Sequence, residues 1–404
     1  MVANSPLTAS DARLAPWPFY GDDEIAAAGN VLRSGRVNYW TGDEGRSFES
    51  EFAAHCGVAY GLVVANGTLA LELALHGLGL GPGDEVIVPA RTFIATASAV
   101  ALCGAKPVVA DIDPTSQNLT AENVAAVCSP RTKAVIPVHL AGWPVDMAPL
   151  MDLAAQRGFF VIEDCAQAHG ATDRGRPVGG IGHIGCFSFC QDKIISTGGE
   201  GGAVVTGDMR LYKRMWSYRD HGKDFARAAP GQDQATDVSP GFKWLVGSFG
   251  TNARLTEFQS AIGRLQLKKL PQWTARRRAN AASLTQALGD LNALSVPRPP
   301  GDVGHAYYMY YGFIVAEALK TGWSRDRICA ELRSQGVPAR AGACPDISRE
   351  AAFARAGYGA QPAHPHAERL ADTTLMLPLH PTLTAGNLAF LAATTRAVIL
   401  AATR

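Results

Sequence analysis

The chain has no run of 18 apolar residues, no block of five or more like charges, no CxxC pair and hardly any net charge. Each absence excludes something. Without a long apolar run, no bilayer-spanning helix is expected. With 37 basic and 36 acidic residues the net charge is +1, so no field gathers nucleic acid or an anionic membrane surface. The nearest approach to a charge block, Arg276-Arg277-Arg278, suits a solvated helix face. The N-terminal MVANSPLTASDARLAPWP has neither a basic start nor an apolar centre, so a signal peptide is not expected. Eight cysteines stand at 56, 103, 128, 165, 186, 190, 329 and 344, several in apolar runs such as GHIGCFSFC. They are expected as buried, reduced thiols, which points to the cytoplasm.

What is present is organised. At 404 residues the chain is too long for one compact core, and two domains are the natural expectation. Between about residues 57 and 207, short apolar runs occur at 61–67, 85–90, 106–112, 134–140, 159–165, 184–189 and 201–207. They are β-branched and nearly continuous in hydrophobicity, as strands buried on both faces of a largely parallel sheet must be. Helical patterns at 68–78, 92–102, 121–128 and 147–157 separate them, which predicts an α/β layered domain. Residues 208–250, rich in Gly, Pro, Asp and aromatics, read as a long loop. A helix is expected from about 253 to 288, then a strand in YYMYYGFIV, a helix at Arg325–Gln335 and a last helix at Ala385–Ala402. The division expected is a large domain over 1–255 and a smaller α+β domain over 256–404.

In parallel sheets ligands sit beyond the carboxyl ends of the strands, so residues there carry weight. Asp164 ends the run FFVIEDC, and Lys193 follows the strand IGCFSF. A carboxylate and a lysine at neighbouring strand ends are what a pyridoxal site needs: an amine to bond the aldehyde, and an acid to keep the ring nitrogen protonated. Taken singly, the bland alternatives are a helix-capping acid and a solvated lysine. Gly198, Gly199, Gly201 and Gly202 around Glu200 make a permissive turn through which a planar ring could approach the backbone, or a plain β-turn. Asn66-Gly67-Thr68 opens a helix whose first turn suits a phosphate, or is a simple N-cap. Ser188, five residues before Lys193, either reaches the same phosphate or is a satisfied core serine. Phe93 either stacks on a ring or belongs to the core. His169, Cys165, His139 and His183 fit no standard zinc spacing, and no metal is expected.

Four stretches together, NGTLALELAL (66–75), VIEDCAQAHGA (161–171), FSFCQDKIISTGGEGG (187–202) and GTNARLTEFQSAIG (250–263), resemble the DegT/DnrJ/StrS sugar aminotransferases. YWTG (39–42) and LPLHP (377–381) extend the likeness over nearly the whole chain, whereas RAGACPDISRE (340–350) departs from the family's form. The resemblance implies a three-layer, fold-type I large domain that binds pyridoxal 5'-phosphate (PLP). Lys193 would bond the cofactor, Asp164 face its ring nitrogen and Gln167 lie near the ring hydroxyl. Gly67, Thr68 and Ser188 would cradle the phosphate, and Phe93 would stack on the ring. Asn252 would reach the phosphate of a neighbouring subunit, which makes the protein at least a homodimer with a shared active site. The segment 216–250, with His221 and Lys223, would line the substrate. Some members have histidine in place of the lysine and act as dehydratases; the lysine here favours amine transfer from L-glutamate or L-glutamine to a keto-sugar, most plausibly nucleotide-linked. The rivals are a PLP-dependent eliminase or dehydratase, a non-catalytic ligand sensor, and a metal-dependent hydrolase built on Asp164, His169 and His139.

Overall fold

The computed structural model describes residues 14–228, 244–342, 345–358 and 362–404. Two helices, α1 (Asp22–Ser34) and α2 (Glu44–His55), precede the first strand. Then strands and helices alternate: β1 (Tyr60–Val64), α3 (Gly67–Leu78), β2 (Glu85–Pro89), α4 (Ala95–Leu102), β3 (Lys106–Ala110), α5 (Ala121–Val127), β4 (Thr132–Val135), α6 (Met147–Arg157) and β5 (Phe160–Asp164). A small hairpin, β6 (Thr172–Asp173) and β7 (Arg176–Pro177), leads to β8 (Ile184–Ser188) and β9 (Gly202–Thr206).

The seven long strands form one sheet in the order β1-β9-β8-β5-β4-β2-β3. Only β9 runs against the rest, pairing antiparallel with both β1 and β8. Successive side chains of a strand point to opposite faces, and here both faces are covered. Leu62 and Val64 of β1 and Val86 and Val88 of β2 join one cluster with Ala70, Leu73 and Ala74 of α3 and Val100 of α4. Their alternating neighbours turn the other way: Val63 packs with Phe48 and Phe52 of α2, and Ile87 with Val124 of α5 and Leu150 of α6. This two-sided burial explains the unbroken apolar runs.

Three expectations are corrected. Residues 208–250 are not all loop: Met209–Arg219 form α7, capped by the Asp208 side chain and buried through Leu211, Met215 and Trp216, followed by the short α8 (Phe225–Ala228). Their apolar spacing is helical but sits among many charges. The strand expected at 134–140 spans only Thr132–Val135, because the chain turns at Leu140–Gly142 with Ala141 and Gly142 at positive φ. Arg277 is buried rather than solvated, 1% exposed, donating to the carbonyls of Tyr307 and Tyr308, each at 3.2 Å, and to that of Leu379.

The long helix α9 (Glu257–Leu288) links two cores. Its first half, through Leu267 and Leu270, packs with the Phe48 cluster. Its second half, through Ala281, Leu284 and Leu288, packs in another cluster. That cluster is closed by β10 (Leu294–Ser295), β12 (Tyr310–Ile314), α10 (Arg325–Ser334), β13 (Thr374–Leu377) and α13 (Ala385–Ala402), whereas α11 (Ala351–Arg355) and α12 (Pro365–Thr373) pack through Phe353, Ala367 and Leu370 into the cluster of β1 and β2, and β11 (Val303–Gly304) pairs with β6. α13 is long and apolar enough to cross a bilayer by length and composition, yet it buries Leu391, Val398 and Ile399 in this cluster and Arg396 pairs with Asp290 at 2.6 Å. The seven described cysteines are free thiols; Cys344 lies outside the described residues.

Candidate active site

All five parallel strands that matter to the site deliver their residues at one edge of the sheet. β1 ends before Asn66-Gly67-Thr68, β2 before Phe93 and Thr96, β4 before His139 and Ala141, β5 at Asp164 and β8 at Ser188. Because these strands are parallel, their carboxyl ends lie on the same side.

Asp164, 6% exposed, is the last residue of the central strand β5. Thr96 donates to its Oδ2 at 3.0 Å and the Ala166 amide to its Oδ1 at 3.2 Å. Burial pushes its carboxyl above the usual range; those two donors and the charge of Lys193 work against the shift. Among the described residues it makes no ion pair, so this buried carboxylate lacks a cation in contact with it. A protonated ring nitrogen would supply one.

Lys193 stands in the neighbouring loop after β8, its side chain 16% exposed. Its Nζ is 3.4 Å from Asp192 Oδ1 and 5.0 Å from the centre of the Tyr308 ring. The loop is held from the N-terminal segment: Trp17 Nε1 donates to the Lys193 carbonyl at 3.0 Å, and Tyr20 bonds Ser196 Oγ at 2.9 Å. The Gly198 amide donates to the Tyr20 hydroxyl at 3.2 Å. Gly198 and Gly199 have φ of 89° and 130°, which side-chain-bearing residues rarely adopt. The expected permissive turn is therefore present.

The phosphate cradle is brought together. Asn66 caps α3 by accepting from the Leu69 amide at 2.9 Å, which leaves the Gly67 and Thr68 amides without a helical partner. Gly67 lies so close to Ser188 that a Cβ added to it would meet the serine Cβ at 2.6 Å. Bare backbone, two amides, a hydroxyl and the positive end of a 12-residue helix converge there, the donor set a phosphate takes. Gln167 accepts from the Ala141 amide through Oε1 at 2.7 Å, so its amide hydrogens are the groups left to face a ring hydroxyl. Phe93 is 64% exposed, not part of the core, beside the Thr96 that holds Asp164. Asn252 is exposed, and its backbone bridges to that of Asp220, the residue that ends α7. Lys223 pairs with Asp220 at 3.4 Å and lies 4.0 Å over the Trp40 ring; the His221 amide donates to the Thr251 carbonyl at 2.9 Å. Residues 229–243 of the expected substrate loop lie outside the described residues. An amine at Lys193, a buried carboxyl at Asp164 and the Gly67–Ser188 cradle are groups that PLP binding calls for.

The residues of the metal-hydrolase alternative do not converge. His139 Nε2 bonds Glu163 Oε2 at 3.0 Å, and its Nδ1 accepts from Val145 at 2.9 Å. His169 packs on Phe187 and Phe189, and burial holds it down to about 3, so it is neutral. His139, Glu163 and Cys165 do place ligand atoms within 4.8 Å of one another. Glu163 nevertheless spends its oxygens on His139 and on the amides of Gly179, Ile181 and Gly182, bonds that together outweigh burial and keep its carboxyl lowered. Sequence patterns did not reveal Thr96, Asp192, Tyr308, Trp17 or Tyr20. Only Asp192, adjacent to the lysine, carried a local signal.

Comparison with known proteins gives one answer. The DegT/DnrJ/EryC1/StrS aminotransferase family model matches residues 19–394. A UDP-N-acetyl-3-dehydro-alpha-D-glucosamine 3-aminotransferase of Acidithiobacillus ferrooxidans is 37% identical over 98% of this chain and 99% of its own. A dTDP-3-amino-3,4,6-trideoxy-alpha-D-glucose transaminase of Streptomyces venezuelae is 37% identical over 85% of this chain and 88% of its own. The solved aminotransferase from Psychrobacter cryohalolentis superposes with a TM-score of 0.92 at 47% identity, covering 96% of this chain and 99% of that one.

Proposed function

Since the chain belongs to the DegT/DnrJ/EryC1/StrS aminotransferase family, we propose that it moves an amino group from L-glutamate, or L-glutamine, to a keto-sugar carried on a nucleotide, in amino-sugar biosynthesis. It is a PLP-dependent aminotransferase of the mostly parallel α/β fold described above, and its relatives act on sugars. When bound, PLP supplies a positively charged ring that accepts the electrons of the bond being broken.

The chain's own residues then have separate tasks. Lys193 bonds the cofactor and, once released, carries a proton between the carbon of the amino group and the cofactor's reactive carbon. Asp164, fixed by Thr96 and Ala166, holds the ring nitrogen protonated. Gly67, Thr68 and Ser188 take the phosphate, Gln167 the ring hydroxyl, and Phe93 covers one ring face. The observation that carries this reading is the buried, cation-poor carboxylate of Asp164 with Lys193 at the end of the adjoining strand. The substrate class rests on the relatives, whose names specify UDP- and dTDP-linked sugars.

Further parts of the proposal concern assembly. Asn252 reaches the phosphate site of a second copy, so the working unit is a cytoplasmic homodimer with shared sites. The large domain spans 1–255 and the small domain 256–404, with α9 serving both cores. The test is Lys193→Ala, with nucleotide-linked keto-sugars and glutamate or glutamine assayed by mass spectrometry. Wild type is expected to give aminated sugar and the variant none, with PLP only reversibly held. A variant that keeps the wild-type rate refutes the role of Lys193, and elimination without amine transfer by wild type favours the dehydratase.

A further inference from the structure

The residue immediately before the lysine is an aspartate, and its surroundings are built rather than incidental. Asp192 Oδ1 lies 3.4 Å from Lys193 Nζ. Its other oxygen accepts from the Tyr308 hydroxyl in a short hydrogen bond. Tyr308 is buried and comes from a remote part of the chain, in the segment leading into β12, where Arg277 clamps its carbonyl at 3.2 Å. Lys193 Nζ also rests 5.0 Å from the Tyr308 ring centre. Lysine, carboxylate and phenol therefore close a triangle.

We propose that Asp192 is a positioning residue for Lys193, holding its Nζ over the reaction site whenever that amine is not bonded to cofactor, with Tyr308 fixing the carboxylate's orientation. This rests on the assignment of Lys193 made above. A lysine side chain has four rotatable bonds and loses its aim once released. A carboxylate with one oxygen already tied is fixed in orientation and offers the amine the other oxygen alone, which restricts where Nζ can return. Cys190 also faces Asp192 and has Glu200 on its other side, and Tyr311 and Arg340 lie beyond Tyr308. None of these holds the amine among the contacts described.

The test uses full-length protein with PLP bound, comparing Asp192→Asn, Asp192→Glu and Tyr308→Phe with wild type. Two quantities are read: the pH midpoint at which the visible colour of the bound protein changes, and kcat and KM for the amino donor. A carboxylate next to the bonded nitrogen favours its protonated form, so Asp192→Asn should move the colour midpoint down by about one pH unit or more. It should lower kcat roughly tenfold with KM nearly unchanged, as loss of aim rather than of binding predicts. Tyr308→Phe should shift both in the same direction by less, the Asn/Phe double variant no further than Asn alone. Asp192→Glu should recover part of kcat. Coloured wild type with an unmoved midpoint and unchanged kcat in Asp192→Asn overturns this proposal alone, as does simple additivity in the double variant. Wild type that stays colourless with PLP overturns the lysine assignment beneath it.

Discussion

Replacing Gly67 by alanine tests the phosphate cradle through a collision that can be calculated in advance. The new methyl carbon would stand 2.6 Å from Ser188 Cβ, 3.1 Å from its Oγ and 3.2 Å from its Cα. Carbon atoms pack at about 3.5–4.0 Å, so α3 and β8 must part by roughly 1 Å. Overpacking of this kind costs about 1–3 kcal/mol, of which alanine's better helix propensity returns up to about 1 kcal/mol. The net stability loss should therefore reach at most about 3 kcal/mol, read as a lower urea midpoint. The same 1 Å displaces the Gly67 and Thr68 amides from the phosphate. A hydrogen bond to a charged group contributes about 1.5–3 kcal/mol, so PLP affinity should fall roughly ten- to a hundredfold. A companion variant separates the two effects. Adding Ser188→Gly removes the 2.6 Å and 3.1 Å contacts and should restore much of the urea midpoint. It should not restore PLP affinity, because the hydroxyl goes with the side chain. Gly67→Ala that binds PLP within twofold of wild type, by absorbance titration, would refute the cradle.

Two more outcomes are expected. Thr96→Val keeps the shape but removes the 3.0 Å donor to Asp164, leaving a buried carboxylate one partner short at a cost of about 1–3 kcal/mol; kcat should fall about tenfold while PLP still binds, and an unchanged kcat would count against the role given to Asp164. The second concerns pH. His364 Nδ1 bonds Asp346 Oδ2 at 2.8 Å, and the pair ties the 345–358 segment to the sheet through Ile347, whose amide donates to the Ala90 carbonyl at 2.9 Å. Burial lowers the histidine, but Asp346 more than reverses that and leaves it raised above 6.5; burial raises Asp346, but its hydrogen bonds leave it lowered below 3.8. The histidine's contribution is thus complete below its ordinary value and lost as pH rises through the raised one. The aspartate's is complete above 3.8 and lost as pH falls through the lowered one. His364→Gln should therefore flatten the decline of the urea midpoint as pH rises above 6.5; a decline identical to wild type would sink this account.

Much of the architecture was legible because it rests on short-range pattern. All seven long strands announce themselves, since each must be apolar on both sides, and α3, α6 and α13 keep their expected limits to within a residue. Asp164 and Ser188 stood out as polar residues ending apolar strands. The failures have physical causes as well. α7 hides its buried Leu211, Met215 and Trp216 among four basic residues, MRLYKRMWSYR, so its periodicity is swamped. α1 begins Asp-Asp-Glu, a good dipole match, but its apolar Ile25 and Leu32 are exposed and the residue it buries is Glu24, which bonds the Gly21 amide and Gln266. Arg277 reads as surface charge because nothing in its neighbours says that three carbonyls wait for it. Thr96, Trp17 and Tyr308 reach the site across 68, 176 and 116 positions of sequence, and no local window contains such partnerships.

The clasp from Trp17 and Tyr20 onto the loop of Lys193 has a consequence for how the protein acquires its working form. These bonds join points 176 to 178 residues apart, so they cannot form until the intervening sheet has assembled. During synthesis residues 17 and 20 leave the ribosome well before residues 193–198, yet they find their place only once those have been made. The Lys193 carbonyl is thereby fastened by a stretch made long before it, and loss of the Trp17 side chain would loosen that loop while leaving the sheet beneath it in place.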